Sequence, residues 1–160
     1  MKAVADSSVL IALSRIGQLR LLQCRFADGV LIPDAVWDEV VETGGDRPGV
    51  SEVRAASWIQ RRRVKDQDYV RLLRADLDAG EAEAIALARE EGAEVILLDE
   101  KEARRTARRL GIQVLGTVGL LIWARREGLI PSLRELLQTL QEEGGFRLSR
   151  EVCATRVVAQ

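Results

Sequence analysis

Lys2-Ala3-Val4-Ala5-Asp6-Ser7-Ser8-Val9-Leu10-Ile11 is a short apolar run closed by an acid and followed at once by a helical pattern. The run at 2–6 reads as a strand, and Leu10, Leu13 and Ile16 recur at helical spacing over 8–15. A second helix is expected over 17–25, where Leu19, Leu22 and Phe26 keep the same period. The alternation then repeats. Val30-Leu31-Ile32 reads as a strand, with Pro33 suited to the first turn of a helix over 33–42. Helices follow at 50–57 and 66–75 around a strand near 58–64. Helix 80–91 leads to strand 94–98, and helix 100–110 leads to strand 112–115. Gly116 opens a helix to 127, and Pro131-Ser132 starts a last one reaching 143. Strands alternating with helices predict an α/β fold with a central parallel sheet wrapped by helices. Thr43-Gly44-Gly45-Asp46-Arg47-Pro48-Gly49 reads as the clearest loop and the expected mobile element.

At 160 residues, 47% hydrophobic and 31% charged, the chain has room for one domain with a sizeable core. Residues 1–148 are expected to form that domain, leaving 149–160 as a tail or short helix. Cys24 and Cys153 lack metal-ligand spacing and read as small buried apolar residues. No stretch reaches the length of a membrane span and no signal pattern opens the chain, so a cytoplasmic protein without membrane contact is expected.

Net charge is −1, yet arginines cluster at Arg61-Arg62-Arg63, at Arg104, Arg105, Arg108 and Arg109, and at Arg125-Arg126. Each cluster can equally be a solvated face. Aromatic residues, 4% of the chain, are too scattered for a base-stacking platform.

The chain contains no histidine. Acids must therefore carry any acid–base or metal chemistry, and carboxylate oxygens suit hard cations such as Mg²⁺ and Mn²⁺. Asp6 and Asp99 each close a strand that feeds a helix, which in a parallel sheet brings both to the carboxyl ends of their strands, where open α/β folds bind ligands. Both also suit helix capping: Asp99 with Glu102, and Asp78 with Glu81, have capping-box spacing. Glu81 shares a helical face with Ile85 and Ala88, whereas Glu83 falls on the opposite face beside Glu90. An inward acid costs desolvation unless it is paired or metal-bound, which favours Glu81 over Glu83 as a functional group. Glu39 borders the apolar arc of Val36, Trp37, Val40 and Val41, while Asp38 and Glu42 point away from it.

Asp6-Ser7-Ser8, Glu39 within Pro33-Asp34-Ala35-Val36-Trp37-Asp38-Glu39-Val40, Gly80-Glu81-Ala82-Glu83-Ala84-Ile85 and Asp99 after an apolar strand together resemble a PIN domain. The likeness continues through Ala103-Arg104-Arg105, Gly116-Thr117-Val118-Gly119, Gly128-Leu129-Ile130-Pro131-Ser132 and Gly145-Phe146-Arg147-Leu148-Ser149, nearly the whole chain. The resemblance implies a PIN-like sheet of about four to five parallel strands and a Mg²⁺- or Mn²⁺-dependent ribonuclease cleft. Carried over by position, Asp6, Glu39, Glu81 and Asp99 form the acidic tetrad. The third acid is Glu where Asp is commoner in the family, and Leu97-Leu98-Asp99-Glu100 replaces a Thr-x-Asp ending, so Glu100 or Glu102 can share the role of Asp99. Ser8 is the residue expected to orient Asp6, with Arg104, Arg105 and Arg108 contacting substrate. Many relatives are toxins of toxin–antitoxin pairs, which implies an RNA substrate and a small antitoxin partner. A homodimer is also expected, through apolar stripes at Leu120–Trp123 and Leu133–Leu140. Two alternatives stand beside the nuclease: a PIN-fold binding or regulatory module with little turnover, and a phosphoacceptor fold with Asp6 as nucleophile. Ser8 occupies the position where a haloacid-dehalogenase-type phosphatase carries a second Asp.

Overall fold

The structure is a computed structural model and describes residues 1–144; Gly145–Ser149, Cys153 and the expected tail lie outside the described residues. Five strands, β1 (Ala3–Ala5), β2 (Val30–Pro33), β3 (Ile59–Arg62), β4 (Val95–Leu97) and β5 (Gln113–Leu115), form one sheet in the order β3-β2-β1-β4-β5. Every pairing is parallel, with Ala5 opposite Leu97. This is the parallel α/β arrangement expected from the alternating pattern, with a strand number that fits the PIN-like sheet implied by the resemblance.

The helices among the described residues are α1 (Ser7–Arg15), α2 (Arg20–Arg25), α3 (Asp34–Trp37), α4 (Val50–Ala55), α5 (Gln67–Leu73), α6 (Ala79–Glu91), α7 (Lys101–Arg109), α8 (Thr117–Arg126) and α9 (Leu133–Gly144). They cover both faces of the sheet, and the strands divide their side chains accordingly. Ala3 and Ala5, with Val95 and Leu97, join the layer packed against α1, α2, α8 and α9. Val4, Ile96 and Leu98 join the layer under α6 and α7. That period-2 division, with both faces apolar, is what a doubly covered parallel strand requires.

Several boundaries differ from expectation. Pro33 is the last residue of β2, paired with Arg62, and not the first turn of a helix; its ψ of 168° is extended, and a strand end needs no donor from a proline. The helix expected over 33–42 is α3 running into a π-helical turn, Asp38–Glu42. The second helix starts at Arg20, because Gly17 takes a left-handed φ of 66° and Gln18 N–H bonds back to the carbonyl of Leu13. Gly116 is the N-cap of α8 and not its first residue, and Cys24, expected to be buried, is an exposed residue of α2.

The 43–49 loop, read as the mobile element, is stitched down. The Arg47 guanidinium donates to the carbonyls of Gly44, Glu39 and Thr43, and Gly49 N–H donates to Glu52 Oε2 at 2.7 Å. These bonds satisfy carbonyls at the end of the π-helical turn that carries Glu39.

Candidate active site

Strand order places the site. The chain leaves β1 toward β2 on one side and leaves β4 toward β5 on the other, so the loops after β1 and β4 diverge and open a crevice at the carboxyl ends of the two central strands. Asp6 follows β1 directly and its N–H donates to the carbonyl of Leu97, which locks the ends of β1 and β4 together. Asp99 lies two residues past β4.

Asp6 is 4% exposed. It takes the N-cap position of α1 with extended backbone, but its side chain makes no capping bond to that helix, so capping does not account for it. Burial first, and then the charges of Asp78, Glu81 and Glu39, push its pKa up to about 7 against a partial offset from the Ser7 N–H. Glu39 is on the solvent-exposed side of the π-helical turn and reaches back: Ser7 Oγ donates to its Oε2 at 2.7 Å. A π-turn widens the helix by one residue, which re-aims the side chains that follow α3.

Gly80 shows how closely these groups converge. A Cβ there would stand 3.2 Å from Asp6 Oδ1 and 3.3 Å from both Glu39 Oε2 and Ser7 Oγ. The missing side chain leaves one point that two carboxylates and a buried hydroxyl all face. That oxygen-lined space suits a hard divalent cation.

The other two tetrad acids are engaged elsewhere. Glu81 is 7% exposed and closes a capping box with Asp78, with Asp78 N–H to Glu81 Oε1 at 3.0 Å and Glu81 N–H to Asp78 Oδ1 at 2.8 Å. Its pKa is raised, mainly by burial, with Asp78 and Glu100 adding to the rise. Asp99 accepts at both oxygens from the start of α8: Thr117 N–H to Oδ1 at 2.8 Å and Thr117 Oγ1 to Oδ2 at 2.6 Å. Of the alternates, Glu100 caps α7 through Ala103 N–H at 3.1 Å, and Glu102 pairs with Arg105 at 3.0 Å. Among the described residues no three acids or cysteines are grouped closely enough to hold one ion together.

Ser7, Thr117 and Asp78 are residues whose part in the site the sequence did not reveal. Ser8, the expected orienter of Asp6, is exposed and its Oγ lies 3.4 Å from Asp6 Oδ2. Buried Ser7 makes the shorter bond, to a different acid. The Asp-Ser-Ser stretch offers no way to choose between two adjacent hydroxyls until the direction of α1 is known. Asp78 was legible only as a cap. Glu83, expected on the face away from the core, is half-buried and accepts the Ala35 N–H at 3.2 Å, fastening the start of α3 to α6; burial raises its pKa. Arg104, Arg105 and Arg108 stand on α7, which begins beside Asp99.

Among the described residues no helix is long and apolar enough to cross a membrane. No protein of curated function matches the sequence. A family model described as a PIN domain matches residues 2–159. With that match, the parallel sheet and the acids at its switch point, the chain belongs to the PIN-domain family.

Proposed function

We propose that this protein is a metal-dependent endoribonuclease that hydrolyses RNA phosphodiester bonds, with Asp6, Glu39, Glu81 and Asp99 as its acids. The observation that carries the reading is Asp6, a buried carboxylate at the switch point that shares the space above Gly80 with Glu39. Members of the family are generally nucleases, the chain has no histidine, and among the described residues Asp6 and Glu81 are the buried acids. A bound Mg²⁺ or Mn²⁺ supplies charge neutralisation at the scissile phosphate and a water of lowered pKa. Asp6 Oδ1 and Glu39 Oε2 would hold the ion. Ser7 keeps Glu39 turned inward, Thr117 fixes the plane of the Asp99 carboxylate, and Glu81 adds negative charge from the start of α6.

The decisive experiment is cleavage of a mixed RNA by purified protein with Mg²⁺ or Mn²⁺. Asp6→Asn and Asp99→Asn are each expected to abolish cleavage, and wild-type cleavage that persists in EDTA would refute the metal mechanism. A second reading, a PIN-fold nucleic-acid-binding or regulatory module with little turnover, draws support from the two hydrogen bonds that Thr117 donates to Asp99 and the closed box of Glu81 with Asp78. It predicts RNA binding with no cleavage under either metal.

The nuclease reading extends to a cytoplasmic toxin held by a small antitoxin protein, with residues 1–148 as its domain. It also extends to a homodimer, but of the stripes expected to form its interface Leu120, Leu121, Leu133, Leu137 and Leu140 fill the protein's own core, which leaves only the half-buried Ile122, Trp123 and Leu136 to meet a second copy. A monomer in light scattering at micromolar concentration would reject the dimer.

A further inference from the structure

The exposed side of α7 concentrates positive charge next to the acids. Lys101, Arg105, Arg108 and Arg109 line one groove of about 410 Å³. At about 100° per residue these four positions fall within roughly 100° of arc, and eight steps of 1.5 Å spread them over about 12 Å of helix. One end of the groove, Lys101, is two residues from Asp99.

These cations are mostly unneutralised. Among the described residues only Arg105 of the four has an ion pair, with Glu102. Of the arginine runs elsewhere, the one at 61–63 is partly spent within the fold: Arg61 pairs with Asp34 and Asp38, and Arg62 pairs with Glu91. Arg104 belongs to neither group. It is half-buried, with its Nε enclosed and unpartnered, and it does not line the groove.

Four cations spread over about 12 Å of one helix face match a polyanion better than a single phosphate. Its lining has no aromatic side chain to stack a base and no acid to accept a base amino group, and four cations spread along one face suit phosphates, which every sequence shares. We propose that this face of α7 is a sequence-independent track for the phosphate backbone of an RNA strand leaving the acidic crevice. The choice of RNA rests on the nuclease reading; the groove itself rests on α7 alone.

The test is fluorescence anisotropy of labelled twelve-nucleotide oligo(U) and oligo(A) on the full chain in EDTA, where binding is read apart from cleavage. Each phosphate contact on a single strand contributes about 0.7 to the slope of log K against log salt, which at 0.1 M salt corresponds to about fivefold in affinity. Lys101→Ala, Arg105→Ala, Arg108→Ala and Arg109→Ala are each expected to weaken both oligonucleotides about fivefold and to lower the slope by about 0.7. Arg108→Lys should retain the slope. Unchanged affinity and slope in all four alanine variants would overturn the track. So would variants that hold oligo(U) normally but lose a poly-glutamate peptide, which would assign the groove to an acidic protein segment. If the slopes fall as expected while wild-type protein cuts no RNA under either metal, the track stands and the nuclease reading fails. Normal cleavage with unchanged KM in the alanine variants would remove the track and leave the nuclease reading in place.

Discussion

Replacing Asp6 with Asn should change how stability depends on pH. The folded protein holds Asp6 near pKa 7 against an ordinary 3.8, chiefly because burial disfavours its charged form. The sign follows. A carboxyl whose folded pKa is raised costs nothing below pH 3.8, where both states are protonated, and costs more as pH climbs through 7, where the unfolded chain has released the proton and the folded chain resists doing so. The gap of about 3 units at 1.36 kcal/mol each gives a full penalty on the order of 4 kcal/mol, more than half of which develops between pH 5 and pH 8. An Asn side chain has nearly the same shape and does not titrate. In urea unfolding with EDTA, the stability of Asp6→Asn relative to wild type is therefore expected to rise by roughly 2–3 kcal/mol from pH 5 to pH 8, or several degrees in melting temperature for a chain of this size. Neighbouring Glu81 and Glu83 titrate in both proteins and largely cancel in the difference. Mn²⁺ at pH 8 should recover much of the wild-type deficit and little of the variant's, because a cation stabilises the ionised form only where the carboxylate exists. A stability difference that stays constant between pH 5 and pH 8 would refute the argument that burial holds this proton.

The two adjacent hydroxyls should separate cleanly. Ser7→Ala removes the 2.7 Å bond to Glu39 and should cost about 1 kcal/mol together with most of the Mn²⁺-induced thermal shift, whereas Ser8→Ala should change neither; the reverse order in differential scanning fluorimetry would return Ser8 to the role read from the sequence. Gly80→Ala sets helix propensity, worth up to about 1 kcal/mol in its favour, against a methyl 3.2–3.3 Å from three oxygens. Folding stability in EDTA should change little, and Mn²⁺ titration calorimetry should show weakened binding; undiminished affinity would remove the ion from the space above Gly80.

The architecture was legible in the sequence because its signals are local. Apolar runs such as Val95-Ile96-Leu97, flanked by helical periodicity and punctuated by Gly111 and Gly128, fix element type through backbone preference and burial, and alternation of strand with helix leaves a parallel sheet as the way to cover both faces. Asp6 and Asp99 could be placed at strand ends for the same reason. What the sequence could not decide depends on distances between residues far apart in the chain. The competition between capping and catalysis came out differently at each acid: Asp6 caps nothing with its side chain, Glu81 caps with Asp78, and Asp99 is held by Thr117, eighteen residues away, across the turn into α8. Glu83 shows the limit of helical phase. The face opposite the apolar side of α6 was expected to meet water, but α3 packs there and uses the carboxylate to satisfy its first free N–H. The bond of Ser7 to Glu39, and the approach of Asp6 and Glu39 to one point above Gly80, likewise arise only when β1, the π-helical turn after α3, and α6 meet, because hydrogen bonds and desolvation act through space and leave no period in the chain.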